Sequence, residues 1–460
     1  MARSAPNTLL AALLVEARWS AGELARAVNA LGTAHALELH YDRTSVAHWL
    51  SGSRPRPPVP DLAAAALTAR TGRLITAQDT GLTPLARDRG QPPQVWPGRT
   101  DPVARLAALS RSDTDPARRA FLLRSADTQP AYPLTTVNRL AWPDRPPVAA
   151  SWAGRSRRAT TADVQRLRDM TQVFTDLTEH HGGAHARSAL AAYLADDVSL
   201  LLKRSAPDRL RGDLLTAGAQ LTHILAAMTA DTGHLGLAQQ YYRTALSLAH
   251  AGGNRSTYAI TLRAMSTQAL RLGHYRPALQ LLDIALRAAG PAAPPATLAF
   301  LYVQRALARA HDRQRHAALG DLSAAETQHE QASGPPGPFT AYPRVGLDYQ
   351  RAQTLLTLGR AADGLSTLRD SAAHRAPGQR RAFALTQASL AETLLTLGHL
   401  EEACVHWHAF LDHYPHLKSV QTEQSLARLR ARLRPYRRQR HAAAVWDRAR
   451  LLTASPGGGG

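Results

Sequence analysis

The sequence predicts an all-α protein made of a small N-terminal helical bundle, a Pro-rich linker and a C-terminal α-solenoid. Three observations carry this. Apolar residues recur at helical spacing through most of the chain. Aromatic residues are only 5% of a composition that is 44% apolar, which suits Ala/Leu-packed helices better than a β-sandwich. A Gly-turn pattern with helical flanks also returns five times at a period near 40 residues. The expected boundaries are 1–82 for the bundle, 83–160 for the partly packed linker, 161–452 for the solenoid and 453–460 for a disordered tail.

Three helical segments can be drawn in the bundle. Leu9, Leu10, Leu13 and Leu14 form the first apolar stripe, which Trp19 ends. Ser20 stands three residues before Glu23, the spacing of a capping box in which each side chain satisfies the other's free backbone N–H. Leu24, Ala25 and Val28 make the inward face of the second segment. Thr44 or Ser45 can cap the third, where Val46, Trp49 and Leu50 repeat at i, i+3, i+4. Gly52 is a helix stop, and Pro55, Pro57, Pro58 and Pro60 forbid its continuation.

Eleven of the 78 residues from Thr83 to Thr160 are Pro, a density that breaks long helices and favours an irregular connection. Ala117–Ser125 and Leu134–Trp142 carry the apolar residues of this stretch, and the second is expected to pack onto the solenoid. Arg155, Arg157 and Arg158 read as a solvated basic cluster.

Beyond Ala162 the repeats begin. Gly233-His-Leu-Gly-Leu-Ala238, Gly273-His-Tyr-Arg-Pro-Ala278, Arg313-Gln-Arg-His-Ala-Ala318, Gly359-Arg-Ala-Ala-Asp-Gly364 and Gly398-His-Leu-Glu-Glu-Ala403 start 40, 40, 46 and 39 residues apart. Gly permits the tight turn between two helices, and the small sixth residue lets them approach. Tyr242, Leu282, Leu322, Leu368 and Trp407 follow four residues later, and Ala245, Ala285, Ala325, Ser371 and Phe410 complete the stripe. A helix pair over 161–180 and 184–203 opens the array. Residues 420–452 close it, with a break at Pro435. Arg313 stands where the other four units have Gly.

Charge and motif content bound the function. Lys and Arg number 55 against 35 Asp and Glu, a formal charge of +20, and only Lys203 and Lys418 are not Arg. Such an excess suits a polyanionic partner. Cys404 is the only cysteine, which excludes an internal disulfide and a Cys-clustered metal site and fits a reducing, cytoplasmic compartment. No apolar run is long enough for a bilayer, so no membrane role is expected. No P-loop, nucleophile elbow or His-Glu-x-x-His motif appears, and with two lysines Schiff-base chemistry has few candidates, so the chain is not read as an enzyme and no cofactor is expected. The densest ligand-like group is Cys404, His406, His408, His413 and His416. It reads as a buried cysteine with exposed histidines rather than a metal site.

The stretch Glu23-Leu-Ala-Arg-Ala-Val-Asn29, then Thr44-Ser-Val-Ala-His-Trp-Leu-Ser-Gly52, then Arg54-Pro-Arg-Pro57 resembles a Cro/C1-type helix-turn-helix, whose second helix positions a third in the DNA major groove. The resemblance implies that Arg43, Thr44, Ser45 and His48 lie at or beside the exposed face of a recognition helix. It also implies that Ala47 meets a thymine methyl and that Arg54 and Arg56 hold phosphates. Residues 30–42 form an insertion relative to that family's short turn and are expected to loop outward. The segment 1–82 has eight Arg against six Asp and Glu, a net charge of only +2.

The five repeats are similar to tetratricopeptide (TPR) repeats, with a period longer than the usual ~34 residues. The whole arrangement resembles a group of actinobacterial regulators, some of which restrain sporulation and antibiotic production. Gly182-Gly-Ala-His-Ala-Arg187 with Tyr193-Leu194 and Asp197-Val198, and the stretch Gly233 to Leu272, carry that resemblance most closely. It implies a transcriptional regulator that binds double-stranded DNA and whose TPR groove takes a peptide or protein effector. The alternative is a TPR scaffold that mediates protein–protein interactions without specific DNA binding. A homodimer formed through the TPR region is expected, because paired helix-turn-helix domains read two half-sites ~34–36 Å apart.

Overall fold

The computed structural model describes residues 6–34, 38–55, 58–71, 75, 80–82, 101–116, 118–119, 132–143, 158–334, 337–376 and 378–454. Among them every regular element is helical. The chain divides into two units, Met1–Gln94 and Val95–Gly460.

Among the described residues the first unit holds four helices, α1 (Thr8–Ala17), α2 (Ala21–Ala34), α3 (Arg43–Leu50) and α4 (Val59–Thr71). Asn7 caps α1 by accepting from Leu10 N at 3.1 Å, and its amide donates to Thr80 O at 2.9 Å, tying the two ends of the unit together. The expected capping box starts α2: Ser20 N donates to Glu23 Oε2 at 2.7 Å. Leu10, Leu14, Leu24, Val28, Val46 and Trp49 form one buried cluster with Leu62 and Leu67 of α4. Leu9, placed in the stripe by spacing, is 44% exposed instead; it lies about 100° round the helix from Leu10, off the buried face. The fourth helix was not among the three expected. Pro60 lies in its first turn, where a missing backbone N–H breaks no intrahelical bond.

In the second unit the solenoid consists of paired helices. The opening pair is α7 (Thr161–His181) and α8 (Arg187–Tyr193), the latter continued by a π-helical turn, Leu194–Val198, and by Ser199–Leu201. Then come α9 (Asp208–Asp231) with α10 (Leu235–Ala251), α11 (Arg255–Arg271) with α12 (Tyr275–Ala289), and α13 (Pro295–His311) with α14 (Arg315–Glu330). The last pairs are α15 (Arg344–Thr357) with α16 (Ala361–Ala373) and α17 (Arg380–Thr396) with α18 (Leu400–His413), after which α19 (Val420–Leu433) and α20 (Arg440–Ala454) complete the array.

The five turns aligned by sequence share one geometry. His234 N donates to Thr229 O, His274 N to Ala269 O, Gln314 N to Arg309 O, Arg360 N to Leu355 O and His399 N to Leu394 O, at 2.8–3.2 Å. Each is the six-to-one bond of a Schellman turn, which needs a left-handed residue just before the donor. Gly233, Gly273, Gly359 and Gly398 supply it with φ of 78–89°, and Arg313 adopts φ 63° in the third unit. The small residues Ala238, Ala278, Ala318 and Ala403 are fully buried. A Cβ on Gly364 would lie 2.7 Å from Leu356 Cγ, so the close approach of α15 and α16 requires glycine there. All ten stripe residues are buried.

Part of the stretch expected as a connection is built into this unit. Asp101 caps α5 (Pro102–Thr114) by accepting from Val103 N at 3.0 Å. The carboxylate of Asp113 is fully buried, taking Arg187 Nη2 at 2.7 Å and the Tyr241 hydroxyl at 2.7 Å. This fastens α5 to α8 and α10. A short helix, α6 (Leu134–Val137), runs on through Asn138–Leu140, whose carbonyl accepts from the Tyr258 hydroxyl at 3.1 Å. Trp142 stacks edge-on against Tyr258 and His250. Residues 117 and 120–125, two arginines of the expected basic cluster (155 and 157) and the tail from 455 lie outside the described residues.

The final pairs return onto the first. Asp231, at the end of α9 and 3% exposed, accepts from five donors. They are Gly183 N (2.9 Å), Arg381 Nε (3.1 Å) and Nη2 (2.8 Å), Ser419 Oγ (2.8 Å) and Gln421 Nε2 (3.0 Å). Lys418 N donates to His181 O at 2.7 Å and Ala184 N to Lys418 O at 3.1 Å. A Cβ on Gly182 would stand 2.6 Å from Lys418 O. Glycine at 182 is therefore what lets the two backbones meet.

Candidate nucleic-acid interface

The position of α3 is set by two polar devices around the 30–42 insertion. The first five inserted residues do not loop out; they extend α2 to Ala34. From the middle of α2, Asn29 then clamps the returning strand of chain. Its Nδ2 donates to Tyr41 O at 2.8 Å and its Oδ1 accepts from Tyr41 N at 3.0 Å. The next residue, Asp42, caps α3: its Oδ1 accepts from Ser45 N at 2.8 Å, and the Ser45 hydroxyl donates back to it at 2.8 Å. The cap is thus Asp42, not Thr44 or Ser45, and Ser45 is the third residue of the capping box. Its backbone and side-chain hydrogen bonds, in that order, hold the Asp42 carboxyl below its ordinary range, so it stays ionised.

With the start of α3 fixed at Arg43, helical periodicity orients the rest. Val46 is 0% and Trp49 4% exposed, and Tyr41 packs edge-on against Trp49 with ring centroids 5.2 Å apart. Arg43, Thr44, Ala47 and His48 are exposed on the opposite side, and Ser45 is half-buried with its hydroxyl committed to the cap. Asn7 N donates to Leu50 O at 2.8 Å and anchors the helix C-terminus. Arg54, just beyond Gly52 (φ 102°), is exposed; Arg56 lies outside the described residues. The exposed side of α3 can present two hydrogen-bonding side chains, a methyl group and the Arg43 guanidinium, and the exposed Arg54 follows the helix. Asn29 and Asp42, which set its register, were not singled out by sequence. The sole available signal was an Asp three residues before a Ser.

The solenoid carries the second element of interest, the face formed by the first helix of each pair. Neighbouring first helices are joined by His223 Nδ1 to Thr261 Oγ1 (3.1 Å), Arg263 Nε to Phe300 O (3.2 Å) and Gln353 Nε2 to Ser389 Oγ (2.7 Å). The connection after α14, which makes the third repeat longer, bends back onto this face. Phe339 meets the His223 ring at 5.2 Å, and Tyr342 meets Phe300 at 4.7 Å. Arg263 lies over the other partner of that pair, 3.5 Å from the Phe300 ring centre. Burial, with Arg263 adding to it, pushes the His223 pKa down to about 3, so the ring is neutral. In the fifth unit Cys404 is buried, and His406 Nδ1 lies 2.7 Å from Gln387 Oε1. Among the described residues no group of three or more His, Cys, Asp or Glu is disposed to hold a metal ion, and no helix is long and apolar enough to cross a membrane.

No curated protein matches the chain. A family model described as the SP15 N-terminal domain matches residues 10–83, the span that holds α1 from its third residue, α2 to α4 and the Asn29–Tyr41 clamp.

Proposed function

We propose that this protein is a DNA-binding transcriptional regulator whose first unit reads sequence through α3 and whose TPR-like array receives a peptide or protein effector. One observation carries the reading. A helix capped at Asp42 and anchored through Val46 and Trp49 offers Arg43, Thr44, Ala47 and His48 on its free side, as a major-groove helix must. Arg54 and Arg56 follow it as phosphate ligands. An effector that uses the face of α9 and α13 has to displace Phe339 and Tyr342, which couples its binding to movement of the connection between repeats. Pairing of two chains through the array would supply the second half-site.

The test is a genome-wide DNA pull-down with the full chain, followed by binding of a Thr44→Ala/His48→Ala variant to the enriched sequence. Ser45 is left intact because it belongs to the cap. Loss of affinity by ~1–3 kcal/mol per base contact with an unchanged fold supports the reading; equal affinity refutes the assignment of α3. The near-neutral charge of residues 1–82 and the ionised Asp42 beside α3 favour the scaffold alternative. An absence of enriched sites would establish it.

A further inference from the structure

The positive charge of the chain is concentrated where the array ends. Residues 428–440 contain seven arginines, and no acidic residue occurs between Glu423 and Asp447. Three of the seven are used within the fold. Arg428 Nε reaches Glu392 Oε1 at 2.9 Å, Arg432 donates to Thr396 Oγ1 at 3.2 Å, and Arg430 also has a partner. Arg434, Arg437, Arg438 and Arg440 differ: all are exposed, and none has a side-chain hydrogen bond or ion pair among the described residues. They sit on the turn between α19 and α20, which is backed by Leu433, Ala442 and Val445 in a buried cluster with Trp407 and Phe410. Tyr436 O accepts from Gln439 N at 2.9 Å across the turn. A firm base thus holds four like charges within seven residues, an arrangement that repels itself until a polyanion neutralises it.

The neighbourhood narrows the polyanion. Lasting attachment to an acidic lipid surface adds apolar burial to the charge attraction, and tight single-strand binding adds base stacking on exposed aromatic rings. The turn has neither: its only aromatic, Tyr436, is half-buried against the cluster, and no exposed large apolar residue lies between Val405 and Leu451. A duplex backbone requires only spaced guanidiniums.

We propose that the α19–α20 turn, through Arg434, Arg437, Arg438 and Arg440, binds the phosphate backbone of double-stranded DNA irrespective of sequence. The choice of DNA over duplex RNA rests on the proposal that the chain is a transcriptional regulator. The surface supplies the electrostatic affinity that residues 1–82, with a net charge of only +2, lack.

The experiment is fluorescence anisotropy of the full chain on a random-sequence DNA duplex across a salt series. A variant carrying Arg434→Gln, Arg437→Gln, Arg438→Gln and Arg440→Gln is compared, with circular dichroism and melting to confirm the fold. Each lost phosphate contact removes about 0.9 from the slope of log affinity against log salt. The expected result is a slope shallower by roughly 3–4 and at least tenfold weaker binding at low salt. An unchanged slope in the quadruple variant overturns the proposal even if an operator is still recognised. Preferential binding of duplex RNA, or of phosphatidylserine vesicles, overturns it as well. If no operator exists but the quadruple variant still loses random-duplex affinity, the α3 reading fails and this one stands.

Discussion

Replacing Asp231 by Ala tests whether the contact between the first and last helix pairs is a structural requirement. The carboxylate is 3% exposed and takes five donated hydrogen bonds from three separate segments. Its removal leaves the Arg381 guanidinium, 15% exposed, without its ion-pair partner and with only the more distant Glu179 carboxylate to offset its charge. Breaking a buried ion pair from one side costs about 3–5 kcal/mol. The Gly183 N–H and the Ser419 and Gln421 side chains lose their acceptor in the same event, at about 1–3 kcal/mol for a buried orphan. Water entering the vacated volume satisfies part of that, so the expectation is ~3–5 kcal/mol rather than the sum. The loss should be local. Hydrogen exchange followed by mass spectrometry should show protection falling at 182–184 and 418–421 while the α11–α14 helices keep theirs. Asp231→Ala combined with Arg381→Met should cost less than Asp231→Ala alone, because no charge is then stranded. Unchanged exchange at 418–421 in the single variant would refute the reasoning.

The same carboxylate sets an acid limit. Burial alone would raise its pKa, but Arg381 and the donated hydrogen bonds outweigh burial and hold it below the usual range. Its contribution is therefore complete above the unfolded value of about 3.9 and is lost as pH falls through the lower folded value; an exchange series below pH 4 should open 418–421, with no such step in Asp231→Ala. Trp49→Ala should destabilise the first unit by about 3–5 kcal/mol, and its melting transition should move while the array's stays. Asn29→Ala leaves the Tyr41 backbone N–H and C=O unclamped and should lower that same transition by about 1–3 kcal/mol. Arg313→Gly should stabilise the array by ~0.5–1 kcal/mol in denaturant titration, the strain of a left-handed residue less the entropy of glycine; a lower midpoint would mean that the Arg side chain supports the turn.

Where the sequence could be read, the signal was local and periodic. The Ser20–Glu23 box, the Trp49 stripe and all five repeat turns lie within a few residues of the feature they specify, including the third turn, where Arg313 takes the conformation of its glycine counterparts. Three features were missed for separable reasons. Asp42, Thr44 and Ser45 are all good caps by residue type, and only the Asn29 clamp on Tyr41 decides among them. Pro60 and the proline density of residues 83–160 argue against helix by composition, whereas Pro60 and Pro102 both sit in first turns, where proline starts a helix. The contacts of Asp231 with Arg381 and Ser419 span 150 and 188 residues, a distance over which spacing carries no information. The exposed residues of α3 followed directly from periodicity once its register was set.

The meeting of α17 and α19 with α7 and α9 constrains how this chain can change. An open solenoid is a one-dimensional stack in which each unit touches only its neighbours, so units can be gained or lost and the ends fray first. Here the stack has been joined head to tail. Inserting or deleting one pair would carry Arg381 and Ser419 past Asp231 by the width of two helices, about 8–10 Å each, and leave a buried charge on each side of the gap. Repeat number is therefore a closed-loop condition, not a free variable, and the terminal pairs, which would otherwise be the weakest, borrow the stability of each other.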